Sequence, residues 1–205
     1  MRIAITGAIL GAALAAAPSS QTIQDPGNSA ILERPFPANG RIRMDLSAGE
    51  YVISGTADSR IQLEWRVRDA DQLSKVRARA DVRDRDASIT TDGPTNKGFK
   101  VAIKVPSRAD LYVRLTAGDL RVDGIEGNKD IELHAGDVRI DVGRAEDYHA
   151  VDASVWAGEL WAEPFSIHKE GLFRWFDWSG KGPYRLHARL KAGDLRLYSK
   201  TDAGR

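Results

Sequence analysis

Five short phrases place a carboxylate directly after a glycine: Gly49-Glu50, Gly118-Asp119, Gly136-Asp137, Gly158-Glu159 and Gly193-Asp194. If the phrases stack in register, Asp119, Asp137, Glu159 and Asp194 form a column. Two unit charges about 4.8 Å apart repel by roughly 0.9 kcal/mol in water, so such a column needs partners. Calcium takes about six to eight oxygens, whereas each phrase offers one acid. Backbone N–H groups at a corner are the simpler partners. Arg121, Arg139 and Arg196 lie two residues further on and offset the charge. No metal site is expected.

No other constellation identifies a reaction. The four histidines, His134, His149, His168 and His187, lack ligand spacing such as His-Glu-x-x-His. Gly-x-Ser-x-Gly is absent, and "SGKGPY" is not a phosphate-cradling loop. No catalytic residue and no cofactor is therefore expected. Thirty Lys+Arg against 29 Asp+Glu leave a net charge of +1, with the signs interleaved as in "RVRDADQLSKVRARADVRDRD". A nucleic-acid partner would call for a one-sided basic stripe; none is visible.

Trp156 and Trp161 are the candidate binding residues. In "SVWAGELWAE" the apolar alternation points both indoles outward, where exposed tryptophan on a flat strand face makes a platform for a sugar or a protein. Trp161 takes the position that Arg121, Arg139 and Arg196 hold in other copies, so an Arg–Trp–Arg stack is conceivable. The competing expectation is that an aromatic insertion, residues 163–185, folds over both indoles as a satellite core.

The elements that position these residues are strands. "IQLEWRV", "FKVAIKV" and "LYVRL" alternate apolar and polar residues at period two, the signature of a half-buried strand. Only the stretch around Asp69–Lys75 suggests a helical turn. Within each repeated phrase the parity switches: Leu111, Val113, Leu115 and Ala117 precede Gly118, and Leu120 and Val122 follow it. A straight strand would turn its apolar face to water at that step, so the chain must bend at Gly49, Gly118, Gly136, Gly158 and Gly193. Four of these glycines are spaced 18, 22 and 35 residues apart. The first two spacings suit one coil of a β-solenoid, with the insertion as a cap. The expected fold is all-β, a solenoid-like stack of strand–corner–strand coils, with a β-sandwich as the alternative.

The chain is 205 residues long with no cysteine, so disulfides, thiolate metal sites and lipidation on cysteine are excluded. Residues 1–20 read as an export signal: Arg2 precedes a short Ala/Gly-rich apolar run, with Ala15 and Ala17 in small-x-small form. That run is a poor membrane span, and no stable span is expected once it is removed. Residues 21–40 read as a linker or lead-in, and 41–205 as the domain.

The strand "VAIKVPSRADLYVRL" with its Val-Pro step, and the Gly-Asp-aliphatic phrases at Gly118, Gly136 and Gly193, resemble a bacterial family of adhesin-like domains of unknown function. The resemblance starts at about residue 41. It implies an exported β-solenoid of the cell envelope and supplies no catalytic residues. Glu50 and Glu159 replace the usual Asp, and the insertion at 163–185 departs from the family pattern. Together these readings predict a non-enzymatic, periplasmic or cell-surface binding module for an envelope glycan or surface. The alternative is a structural or regulatory scaffold acting through an envelope protein, with polysaccharide cleavage a distant third. Oligomeric state is not legible.

Overall fold

The computed structural model describes residues 22–24, 27–94 and 98–200. The expected export signal, residues 1–20, lies outside them. The strands in chain order are β1 (Thr22–Gln24), β2 (Ser29–Pro35), β3 (Gly40–Leu46), β4 (Gly49–Thr56), β5 (Arg60–Arg66), β6 (Arg77–Arg83), β7 (Asp86–Asp92) and β8 (Lys100–Pro106). There follow β9 (Ala109–Asp123), β10 (Lys129–Ala135), β11 (Val138–Asp141), β12 (Tyr148–Ala162), β13 (Ile167–Ser179), β14 (Tyr184–Ala192) and β15 (Leu195–Tyr198). The helical content among the described residues is three short 3-10 turns, one of them at Ala70–Lys75.

Pairing overturns the expected solenoid. Strands β9, β10, β14, β12, β15 and β11 pair in that order, and β11 pairs back onto β9. All six pairings are parallel, so they close a six-stranded parallel barrel with the remaining strands outside it. The 15-residue strands β9 and β12 bend midway and serve both arms of the ring. A solenoid would stack its coils in chain order. Here the last phrase, β14–β15, lies between the Gly136 and Gly158 phrases. The alternative sandwich fails too, because the strands form one continuous fifteen-stranded sheet.

The physical reason lies in the phrases themselves. Their arms are nearly interchangeable Leu/Val/Ala edges, so spacing along the chain does not say which edge lies beside which. The chain leaves β12 through β13, which runs back antiparallel along β12. Strand β14 then enters between β10 and β12.

The interior follows the alternation. Val113, Ile131, Ala188 and Ala153 are register partners across one arm, and Val122, Ile140, Leu197 and Ala162 occupy the corresponding row of the other. All eight are buried. Each large aliphatic side chain removed from water contributes roughly 1.5–3 kcal/mol. Outside the ring, β3 and β4 continue the rows on β9, and β7 and β8 pair with them in turn. Residues 21–40, read as a lead-in, carry β1 and β2; β2 pairs with β5, and Ala30, Leu32 and Phe36 are buried.

The corners are glycine stacked on glycine. Gly118, Gly136, Gly158 and Gly193 have φ of +114°, +127°, +138° and +125°, a region that side-chain-bearing residues rarely adopt. A Cβ on Gly118 would strike the carbonyl oxygen of Gly49, and one on Gly136 that of Gly118. Likewise Gly193 abuts the Gly136 carbonyl and Gly158 that of Gly193. Gly49 differs: its φ is not positive, and a Cβ there would meet the Phe99 ring and carbonyl.

Candidate functional site

Strand β12 buries Val151, Ala153, Val155, Leu160 and Ala162, which leaves Asp152, Ser154, Trp156, Glu159 and Trp161 on its outer face. Trp156 is 57% exposed and Trp161 42%. The insertion does not fold over them. Its 13 residues in β13 satisfy their backbone groups edge-on against β12, with Ser154 opposite Trp175, Gly158 opposite Gly171 and Trp161 opposite His168. A strand paired at the edge extends a sheet rather than covering it.

The aromatic side chains of the insertion divide accordingly. Phe176 is buried beside Ala153 and packs with Phe165 (ring centroids 5.7 Å apart), which meets Trp178 at 5.1 Å. Phe173 and Trp175 take the outer face and stay exposed. Phe173 meets Trp156 edge-on at 5.8 Å. Trp161 stacks on His168 at 4.6 Å, and the Arg196 guanidinium lies 5.9 Å from the Trp161 ring centre. The conceivable Arg–Trp–Arg stack is thus corrected to Arg196–Trp161–His168. Trp161 ends the arginine row, because the Gly158 phrase is the last of the stack and β13 lies beyond it. The result is an outer aromatic strip of Trp156, Phe173, Trp175, Trp161 and His168.

Beside it, the acid and arginine rows lie in the order Glu50, Asp119, Asp137, Asp194, Glu159 and Arg121, Arg139, Arg196. The Asp194 N–H donates to Asp137 Oδ1 (3.3 Å) and the Glu159 N–H to Asp194 Oδ1 (3.2 Å). Two of the acids therefore tie neighbouring phrases together through backbone N–H groups. Arg121 pairs with Asp123 at 2.9 Å. Burial opposes ionisation of Asp123, but the Tyr198 and Lys200 hydrogen bonds and the Arg121 charge outweigh it and hold the carboxyl below its ordinary range. Burial and the same carboxylate push Tyr198 up to about 12.

Potential metal-ligand atoms of Asp130, Glu132 and His187 lie within 4.8 Å of one another. Arg114 already spans both carboxylates, 2.9 Å from Asp130 and 3.4 Å from Glu132. Internal ion pairing accounts for that cluster. His187 Nδ1 lies 3.4 Å from Asp152, while His134 is exposed.

Sequence reasoning passed over Lys129. It occupies the inward row with Ile131 and Leu133 and is fully buried. Its ammonium donates to Tyr148 Oη at 2.6 Å and to the Gly127 carbonyl at 3.3 Å. Burial lowers its pKa to about 8, and Asp141 and Asp110 only partly oppose the shift. Parity in "KDIELHA" already points Lys129 inward.

No family model and no curated protein matches this chain. Among solved structures, a candidate cell adhesion protein from Clostridium sporogenes superposes with a TM-score of 0.56 at 14% identity, covering 83% of this chain and 99% of that one. The two proteins share a fold. Candidate adhesins from Parabacteroides merdae (TM-score 0.30, 11% identity, 86% of this chain and 84% of that one) and Bacteroides fragilis (TM-score 0.25, 12% identity, 88% and 99%) superpose too loosely to carry an argument. Among the described residues no helix is long and apolar enough to cross a membrane.

Proposed function

We propose that this chain is an exported, non-enzymatic binding module of adhesin type that engages a glycan of the cell envelope or another surface. The observation that carries the reading is the outer strip of Trp156, Phe173, Trp175, Trp161 and His168, five rings on adjacent strands β12 and β13. Large exposed aromatic groups are costly to leave in water and mark interaction surfaces. Flat indole faces suit the apolar faces of sugar rings. The fold shared with a candidate cell adhesion protein supports the same reading.

The test is binding of the purified protein to envelope polysaccharide fractions, followed by tryptophan fluorescence and co-sedimentation. Trp156→Ala with Trp161→Ala should reduce binding at least about tenfold, since loss of a central aromatic contact costs about 2 kcal/mol or more. The circular dichroism spectrum should not change, because both side chains lie outside the barrel. Undiminished binding in the double variant overturns the assignment of the strip.

One observation favours a second reading, a scaffold with a protein partner. Among the described residues strand β13 pairs with β12 alone, so its other edge has no strand beside exposed Leu172 and Phe173. A partner strand added there would bind through the main chain. Proline substitutions along that edge should abolish such an interaction and leave glycan binding intact.

A further inference from the structure

We infer that the aromatic strip takes an anionic glycan, with strand β14 and its continuation β15 supplying the charge recognition. The inference rests on the binding-module reading above and names the ligand class.

The outward residues of these two strands include Arg185, His187, Arg189, Lys191 and Arg196, and the strands lie directly against β12. The chain as a whole carries a net charge of +1, so this basic line is a local feature. Apart from His187, which lies 3.4 Å from Asp152, its side chains are not consumed internally. Glu132 stands opposite Arg189 in register, yet its carboxylate turns to Arg114 at 3.4 Å. On the other side Arg189 faces Ser154. Arg196 has Arg139 on one side and the Trp161 ring on the other. Among the described residues, Arg185, Arg189, Lys191 and Arg196 have no carboxylate within ion-pair distance. The Asp194 carboxylate, the acid between Lys191 and Arg196, accepts the Glu159 N–H.

Cation and aromatic ring recur in the same order across the strands. One register row reads Arg189, Ser154, Trp175; another reads Arg196, Trp161, His168. Lys191 precedes Ala192, which faces Ala157, and this sets it beside Trp156. Strands lie about 4.8 Å apart, so the backbone positions of each cation and ring are one or two strand spacings apart, roughly 5–10 Å, and the Arg196 guanidinium lies 5.9 Å from the Trp161 ring centre. A sugar stacked on the ring places a carboxylate or sulfate substituent within reach of the cation. Arg binds such groups through paired N–H bonds.

The shape of the charge separates this ligand from other polyanions. Along β14 the basic line is one strand wide, between Asp130 and Glu132 on β10 and Asp152 on β12; at Arg196 it continues sideways through Arg139 to Arg121. Spaced single charges on a polysaccharide chain fit that line. Closely spaced phosphates or a planar lipid surface would meet the flanking carboxylates.

The experiment titrates the full protein with alginate, a polyuronate, and with dextran as the neutral control, alongside oligo(dT) and phosphatidylglycerol vesicles. The expected result is binding to alginate that weakens with added salt. The triple variant Arg189→Gln, Lys191→Gln, Arg196→Gln should weaken it at least about tenfold, the loss of one charge-assisted contact or more. These side chains are exposed, so the fold, checked by circular dichroism, should be unchanged. Equal binding to dextran and alginate, insensitive to the triple variant, overturns the anionic assignment and leaves the aromatic platform standing. Preference for oligo(dT) or for vesicles also overturns it. No polysaccharide binding at all removes both readings together.

Discussion

Gly136→Ala should destabilise the protein by about 4 kcal/mol or prevent folding, whereas Gly143→Ala should cost about 1 kcal/mol. Both glycines have positive φ, +127° and +66°, so both substitutions strain the backbone by roughly 1–3 kcal/mol. They differ in surroundings. A Cβ on Gly136 would run into the Gly118 carbonyl, while nothing lies near one on Gly143. Backbone in a packed ladder cannot yield as a side chain can, and overpacking adds about 1–3 kcal/mol. The total is a large share of the roughly 5–15 kcal/mol that holds a domain folded. Urea denaturation of the two variants checks it. Equal losses would mean that φ alone, and not the glycine ladder, governs the corner.

A rise in stability of about 2 kcal/mol from pH 7 to pH 10 is the second expectation, and Lys129 is its cause. Burial lowers its pKa from the ordinary 10.5 to about 8. Between those values the unfolded chain binds a proton that the folded chain has released, so stability climbs with pH. At pH 7 both states are protonated and the desolvation penalty is fully present. Above pH 10 the sign reverses. Burial raises Tyr51, Tyr148 and Tyr198 above their ordinary value of 10.0, so the unfolded chain loses phenolic protons that the folded chain keeps. The profile should therefore peak near pH 10. Lys129→Met should flatten the rise and leave the fall in place. A rise that persisted in that variant would assign it to another group.

Both expectations began as patterns in the chain and became definite only through contacts. The parity switch at each glycine marks a bend, because a straight strand would expose Leu120, Val138 or Leu195 to water. That the bend needs glycine for want of room follows from the neighbouring carbonyl, which no single phrase reveals. Lys129 stands at an inward position of its alternation. Its depressed pKa comes from Tyr148 and the barrel wall, brought in from a different strand.

The binding face divides in the same way. Alternation alone turned Trp156 and Trp161 outward, and the outward cations of "YRLHARLKAGDLRLY" are equally legible. What joined them was the insertion of β14 and β15 between β10–β11 and β12. Coil spacing pointed instead to neighbours in chain order.

By itself, then, the sequence determined an all-β chain, the inward and outward side of each strand, and the places where it turns. These are local consequences of period-two burial and of glycine's freedom at positive φ. Tertiary structure alone decided that six strands close into a ring, that β13 extends the sheet beside β12, and that cations and rings meet on one face. Leu186, Ala188 and Leu190 present much the same apolar edge to Ile131 and Leu133 as to Val151 and Val155. Only the packing of the whole chain can choose among edges that similar.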